Sequence, residues 1–279
     1  MAASNSENGF EKVDLISRDG AKAEIYLYGG HVASWCPAGG TEQFYLSNKT
    51  IYKNGVAIRG GIPVCFPQFN NYGTIIKHGF ARINPWELMD IKRTDSHAQA
   101  EFALVDTTET QKIWPFSFSV KLTVTVGGPM LRAELSVTNN DQKPFTFTGA
   151  LHTYFLVNEI SKVTIEGLHE CMYKDSVTGK NNLSQNEEEL AIKGEVDRVY
   201  VNAPREVIIR EAGRKMKVKS EGFKDIVVWN PGAEGCKGIK DMEPEDYRRM
   251  VCVEAAIVME PQEVSNGTTW HGMQELTAI

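Results

Sequence analysis

Apolar residues in this chain recur at every second position far more often than at helical spacing. Val120, Leu122, Val124 and Val126 alternate with polar neighbours, and Leu131, Ala133, Leu135 and Val137 alternate with Arg132, Glu134, Ser136 and Thr138. Side chains of a strand point to opposite faces in turn, so this pattern predicts half-buried strands. Gly127-Gly128-Pro129 between the two runs predicts a hairpin. Similar alternation over 23–27, 100–104, 162–165 and 206–219, the last folding back at Glu211-Ala212-Gly213, predicts further short strands. The fold class expected is all-β: a large antiparallel β-sandwich or barrel with few short helices. The best helix signal is 241–246, where Asp241 precedes Pro244 and further acids and an apolar strand follows. Lys215, Lys217 and Lys219 alternate with Met216 and Val218, as on the solvated face of an edge strand, and 181–189 reads as a surface loop.

Two apolar segments carry polar residues that need a reason. Residues 250–259, MVCVEAAIVM, are apolar at odd and even positions alike, which predicts a central strand covered on both faces, yet Glu254 sits in its middle. An unpaired buried carboxylate is costly, so Glu254 must face a polar cavity or find a strong partner, either in a structural ion pair or in chemistry. Residues 145–157, FTFTGALHTYFLV, place His152 on one strand face with Thr148, Ala150 and Tyr154. Histidine titrates near neutrality and so suits proton transfer, although a strand histidine is also a common hydrogen-bonded core residue.

A third feature is the Gly/Pro-punctuated, aromatic-rich segment 59–86, which gathers Arg59, Lys77, His78 and Arg82. Guanidinium groups bind phosphate oxygens bidentately, and Arg59-Gly60-Gly61 would let the backbone approach a ligand closely, so the segment predicts a wrap around a small anion. Arg59 and Arg82 could equally pair with surface acids, and Lys77 could point to solvent.

Composition narrows the setting. A chain of 279 residues with 42% hydrophobic and 24% charged residues is ordinary globular material, and no apolar run approaches the ~18 residues a membrane span needs. No linker, fixed-period repeat or low-complexity block divides it, so a single domain over 12–279 is expected after a frayed 1–11. The start MAASNSENGF lacks the basic and apolar regions of a secretory leader, which points to the cytoplasm. Five cysteines at wide, irregular spacing argue for reduced thiols and against a zinc site. A net charge of −6 disfavours nucleic acid as a partner, so any bound phosphate must be held by a local cluster.

Taken together, RGGIPVCFPQF from Arg59, HGFAR at 78–82, LHTYF at 151–155, VDRVY at 196–200, VVWNP at 227–231, VCVEA at 251–255 and the C-terminal TTWHGMQEL resemble the hexose-6-phosphate mutarotases. These are the glucose-6-phosphate 1-epimerases of the aldose 1-epimerase superfamily, and the motifs follow their order across nearly the whole chain. The resemblance implies a galactose-mutarotase-like β-supersandwich that interconverts the α and β anomers of an aldohexose 6-phosphate with no metal and no organic cofactor. It implies that His152 protonates the ring oxygen and that Glu254 removes the proton from the anomeric hydroxyl, with Glu254 ionised and His152 protonated at the outset. It assigns Arg59 and Arg82 to the sugar phosphate, Asp197 to sugar hydroxyls and His78 to a further substrate contact, with Phe66, Phe69 and Trp229 as possible apolar faces for the ring.

Lys77 stands where glutamine is frequent in that family, and Ile83 intervenes before Asn84. Both departures bear on substrate preference and leave the proposed acid and base untouched. The expected partner is a small-molecule sugar phosphate bound by a monomer, with no nucleic acid and no membrane. A mutarotase for unphosphorylated aldoses, a catalytically silent sugar-binding module and a glycoside hydrolase using Asp197 with Glu254 are the alternatives the sequence leaves open.

Overall fold

The computed structural model describes residues 3–279. Strands dominate, in a four-stranded, an eight-stranded and a nine-stranded sheet whose pairs are antiparallel throughout. Across the nine-stranded sheet the order is Glu189–Ala191, Val163–Glu166, Glu206–Glu211, Arg214–Glu221, Thr269–Ala278, Met130–Asn139, Phe118–Gly127, Ala98–Val105 and Glu87–Arg93. The eight-stranded sheet runs Lys180–Ser184, Met172–Asp175, Val196–Tyr200, Asp225–Asn230, Met250–Val264, Phe145–Leu151 and Val64–Cys65, with Tyr154–Leu156 also paired to Met250–Val264. One apolar cluster joins Val120, Leu122, Leu135 and Leu276 of the nine-stranded sheet to Ile226, Val228, Val251 and Val253 of the eight-stranded one. The period-two sequence pattern follows from this: Phe118–Gly127 and Met130–Asn139 turn alternate side chains, Val120, Leu122, Val124 and Val126 and Leu131, Ala133, Leu135 and Val137, into that shared core.

The two hairpins read from the pattern form as expected, with Gly127 opposite Met130 and Glu211 opposite Arg214. The lysine stripe sits differently. Arg214–Glu221 is an interior strand flanked by Glu206–Glu211 and Thr269–Ala278; Lys217 and Lys219 stay half-exposed and pair with Glu206 and Glu221, and Lys215 is exposed, so the stripe guards no edge. Residues 181–189 are mostly exposed, Gln185 being buried, but are not a plain loop, since Lys180–Ser184 closes one margin of the eight-stranded sheet. The helical turn begins at Asp246, not Asp241, and leads into Met250–Val264. Short helices at Thr108–Ile113, whose capping box joins Thr107 to Thr110, and at Gly232–Lys237 carry too few residues to show a helical period. Within the segment expected to fray, Ser4–Asn5 pairs with 11–12, and Asn8 Nδ2 donates to the Tyr26 hydroxyl at 2.8 Å. Met1 and Ala2 lie outside the described residues. Among the described residues no helix is long and apolar enough to cross a membrane, and all five cysteines are free thiols.

The two faces of Met250–Val264 explain its sequence. Val251, Val253 and Ile257 enter the shared core, whereas Met250, Cys252, Ala256 and Val258 belong to smaller clusters on the opposite face, beneath the loops around 66–82 and 239–247. Glu254 lies on that second face. Register places Asp197 opposite Trp229, Trp229 opposite Cys252, and Cys252 opposite Tyr154. Residues directly opposite share a face, so Asp197, Trp229, Cys252, Glu254 and Tyr154 line one wall.

Glycines fix the loop that covers this wall. Gly79 has φ +68, and a Cβ there would stand 2.2 Å from the Phe66 carbonyl oxygen. That oxygen also accepts hydrogen bonds from Phe80 and Ala81 at 3.0 and 3.1 Å. Gly79→Ala is therefore expected to cost more than about 1 kcal/mol through the strained φ and the backbone clash, and to lower activity by moving His78 and Arg82. A thermal melt beside an activity assay checks this; wild-type values for both would contradict it. The Arg59-Gly60-Gly61 turn serves packing in the same way: Cβ atoms at Gly60 and Gly61 would meet the Tyr45 and Val32 carbonyl oxygens at 2.2 Å. The close approach expected toward a ligand is made to neighbouring backbone.

Candidate active site

His152 falls at a seam rather than inside a strand. Phe145–Leu151 ends one residue before it and Tyr154–Leu156 resumes two residues after it, while the His152 amide turns aside to donate to the Pro63 carbonyl at 3.0 Å. The imidazole lies against the Tyr154 ring, with centroids 4.8 Å apart and planes 16° from parallel, and Trp229 meets it edge-on at 6.0 Å. His152 Nδ1 is 3.1 Å from Glu254 Oε1. Glu254 is 1% exposed, and neither His152 Nδ1 nor Glu254 Oε2 has an aligned hydrogen-bond partner. A buried base and a buried acid thus stand side by side with unspent hydrogen-bonding capacity, an arrangement that costs stability and is kept at sites that move protons.

Burial raises the Glu254 carboxyl well above its ordinary value, with Asp197 adding to the rise and Arg82 opposing it. Burial, then Arg82, Arg59 and Lys77, push His152 well below its ordinary value. The protein's own groups therefore favour a neutral imidazole beside a protonated carboxyl, the reverse of the starting state implied by the family resemblance. The two groups, 3.1 Å apart, can share one proton, and His152 can act as the acid only when that proton rests on the imidazole.

The positive residues lie on the loops facing this wall. Arg59 Nε pairs with Asp241 at 3.2 Å and its Nη1 donates to the Tyr154 hydroxyl at 2.9 Å. Arg82 has no carboxylate partner among the described residues; its Nη2 donates to the Lys77 carbonyl at 3.0 Å and its buried Nε has no partner. A guanidinium in that position is a standing demand for an anion. Lys77 is exposed, and its charge acts on His152 and Asp197, so it faces the site rather than bulk solvent alone.

His78 adopts φ +65 and is buried, with its ring 5.3 Å from that of His152 and edge-on to Phe69. The Asn70 amide donates to His78 Nδ1 at 3.3 Å, and burial keeps the ring neutral, so Nε2 carries the proton and offers a donor. Asp197 is raised by burial and acts directly on Glu254.

All seven residues singled out in the sequence thus converge on one wall and its covering loops. Of the three aromatics, Trp229 lines the site, Phe69 backs His78, and Phe66 belongs to the core, packed edge-on against Trp114 and Phe118. Tyr154 and Asp241 were not anticipated as site residues. Tyr154 was legible as the residue two positions from His152 on the same face; Asp241 gave no signal, because its partner lies 182 residues away. Cys252 brings a third donor atom close to His152 and Glu254, the one grouping of metal-ligand type among the described residues. Burial holds its thiol protonated, and the arginines nearby oppose a cation, so the trio suits proton transfer better than metal binding.

The histidines set an acid limit on stability. Burial, with Arg82 next in order, depresses His31 to about 3, and His78 and His152 are also lowered from 6.5. Groups with depressed folded values contribute stability above their unfolded value that is lost as pH falls toward the folded one. Each contributes up to about 1.4 kcal/mol per pH unit below 6.5, and the raised Glu254 opposes them with a single proton. The melting temperature is expected to fall steadily from pH 7 to pH 5, with a shallower fall in His31→Gln; a flat profile would contradict this.

The fold and the site define a β-sandwich enzyme class built around a buried histidine–glutamate pair. A family model described as aldose 1-epimerase matches residues 11–277. The chain belongs to the aldose 1-epimerase family. A protein of Cenchrus ciliaris provisionally named glucose-6-phosphate 1-epimerase is 39% identical over 282 residues, covering 98% of this chain and 86% of that protein. One of Escherichia coli K12 with the same provisional name is 34% identical, covering 97% and 92%. The crystal structure of a provisionally named mutarotase from Salmonella typhimurium superposes with a TM-score of 0.91 at 29% identity, over 100% of this chain and 96% of that one. A galactose mutarotase-like protein from Clostridium acetobutylicum shares the fold, with a TM-score of 0.79 at 15% identity over 100% and 98% of the two chains. The architecture is the galactose mutarotase-like supersandwich.

Proposed function

We propose that this protein interconverts the α and β anomers of an aldohexose 6-phosphate, glucose 6-phosphate foremost, by acid–base opening and closure of the ring. The observation that carries the proposal is the His152–Glu254 pair, 3.1 Å apart and buried, facing an arginine, Arg82, that lacks a carboxylate partner.

In the cyclic sugar the anomeric hydroxyl and the ring oxygen share one carbon, so an acid and a base side by side can serve both at once. Protonated His152 gives its proton to the ring oxygen while ionised Glu254 takes the proton of the anomeric hydroxyl. The bond from C1 to the ring oxygen breaks and C1 becomes an aldehyde. Rotation about C1–C2 presents the other carbonyl face to the C5 hydroxyl. On closure that hydroxyl adds to C1 and returns its proton to His152, while Glu254 returns the other to the carbonyl oxygen. Proton transfer of this kind supplies about 10²–10⁴ in rate.

Asp197, His78 Nε2–H and Trp229 hold the sugar, Arg82 and Lys77 hold the phosphate, and Arg59 divides its donors among Asp241, Tyr154 and the same anion. The pairing of the two anomers' H1 resonances by saturation-transfer NMR tests this. Exchange in equilibrium glucose 6-phosphate should rise in proportion to protein and saturate with sugar phosphate. Exchange no faster than in buffer would overturn the proposal.

A further inference from the structure

The site confronts its own acid with a contradiction: the residue that must deliver a proton stands where the protein resists charging it. His152 is enclosed by the neutral side chains of His78, Tyr154, Trp229 and the Cys252 thiol. Glu254 is the carboxyl at its Nδ1, and Asp197 lies beyond Glu254 on the neighbouring strands. On the loop side stand three cations. Arg59 reaches His152 through a single ring, the Tyr154 phenol to which it donates. Arg82 is tied to the backbone carbonyl of Lys77, the residue before His78. Against these, Asp241 is the one carboxylate paired on that side. Three cations less one carboxylate leave two positive charges, which a phosphate dianion would balance.

We propose that the oxyanion cradle formed by Arg82, Lys77 and the remaining edge of Arg59 is an activating site: a dianion seated there lets His152 hold the proton it must deliver, so that a separate oxyanion speeds turnover of a sugar that carries none. This rests on the reading of the site as an anomerase for hexose phosphates. Like charge nearby disfavours an imidazolium, and neutralising it removes the penalty. The cations reach the imidazole from the loop side, Arg59 through the Tyr154 ring and Arg82 and Lys77 through the backbone that carries His78, whereas Glu254 meets it from the strand side. A dianion therefore shifts the shared proton toward His152 as well as binding. The substrate's phosphate then supplies both affinity and an acid in working order, and binding energy remote from C1 appears as rate.

The test separates the two pieces of the substrate. D-Xylose, which is glucose without its C6 arm, leaves the cradle free, and sulfate supplies a dianion too weakly basic to catalyse mutarotation in solution; phosphite is the second probe. Saturation-transfer NMR measures protein-dependent exchange of xylose anomers, with protein-free samples subtracted. Saturable activation of about tenfold or more in kcat/KM is expected, since each unit of proton affinity regained by His152 is a tenfold gain in its protonated fraction. The activated reaction should also persist to higher pH than the unactivated one, and Arg82→Gln should abolish the activation.

Glucose 6-phosphate runs alongside. If its anomers exchange, but sulfate and phosphite inhibit xylose turnover, leave it unchanged while competing with glucose 6-phosphate, or fail to compete at all, the activation proposal is overturned and the anomerase reading stands. If glucose 6-phosphate itself is not turned over, the underlying reading has failed.

Discussion

Glu254→Gln is expected to reduce enzymatic anomer exchange by about 10²–10⁴, the range attributable to a positioned acid or base, and to leave the fold at least as stable as the wild type. Glutamine keeps the length and shape of the side chain but cannot take a proton from the anomeric hydroxyl. Its amide can donate to His152 Nδ1, an atom that lacks a partner in the wild type. The stability arm follows from the raised value of Glu254. A group raised by burial contributes fully to stability below its ordinary 4.5, and that contribution is lost as pH climbs through the folded value. Glutamine mimics the protonated carboxyl at every pH, so the variant's melting temperature should match the wild type in acid and exceed it increasingly in alkali. Exchange within about tenfold of wild type would remove Glu254 from the mechanism. A folded variant with lower stability at high pH would show a structural ion pair instead.

Arg82→Gln is expected to collapse discrimination between phosphorylated and free sugar. Its guanidinium has a backbone carbonyl as its one hydrogen-bond partner among the described residues, and burial lowers its affinity for a proton, which the field of Asp241 restores only in part. Truncating one partner of a buried, hydrogen-bonded charge pair costs about 2–5 kcal/mol. The ratio of kcat/KM for glucose 6-phosphate over glucose should therefore fall by about 30-fold or more, at tenfold per 1.4 kcal/mol. Arg59→Gln should act differently: it releases Tyr154 from its 2.9 Å hydrogen bond and loosens the ring stacked on His152, so its loss falls on kcat more than on KM. A ratio within threefold of wild type for Arg82→Gln would place the phosphate elsewhere.

Residue pattern carried the architecture far because strands announce themselves by alternation, and a carboxylate in a strand apolar on both faces is hard to explain away. Glu254 stood out for that reason. The segment 59–86 was legible as a gathering of cations, but its division into a paired Arg59 and an unpaired Arg82 was not, since Asp241 is distant in sequence and resembled a helix cap. The Arg-Gly-Gly turn misled in another way: positive φ signals a close approach, and sequence does not say to what. The lysine stripe gave the right face and the wrong neighbours, because an interior strand with one solvated face alternates as an edge strand does. His152 looked like a strand residue because a seam of two residues leaves period two unbroken across Leu151 and Tyr154.

The central claim is a division of labour: proton transfer on the wall of the eight-stranded sheet, phosphate recognition on the loops that cover it. A crystal structure of Glu254→Gln with glucose 6-phosphate tests it most directly. The ring oxygen and O1 are expected within about 3 Å of the side chains at 152 and 254, and the phosphate against Arg82 and Lys77. A sugar bound the other way round, with its phosphate beside His152, or a phosphate that leaves Arg82 without an anion, would contradict it.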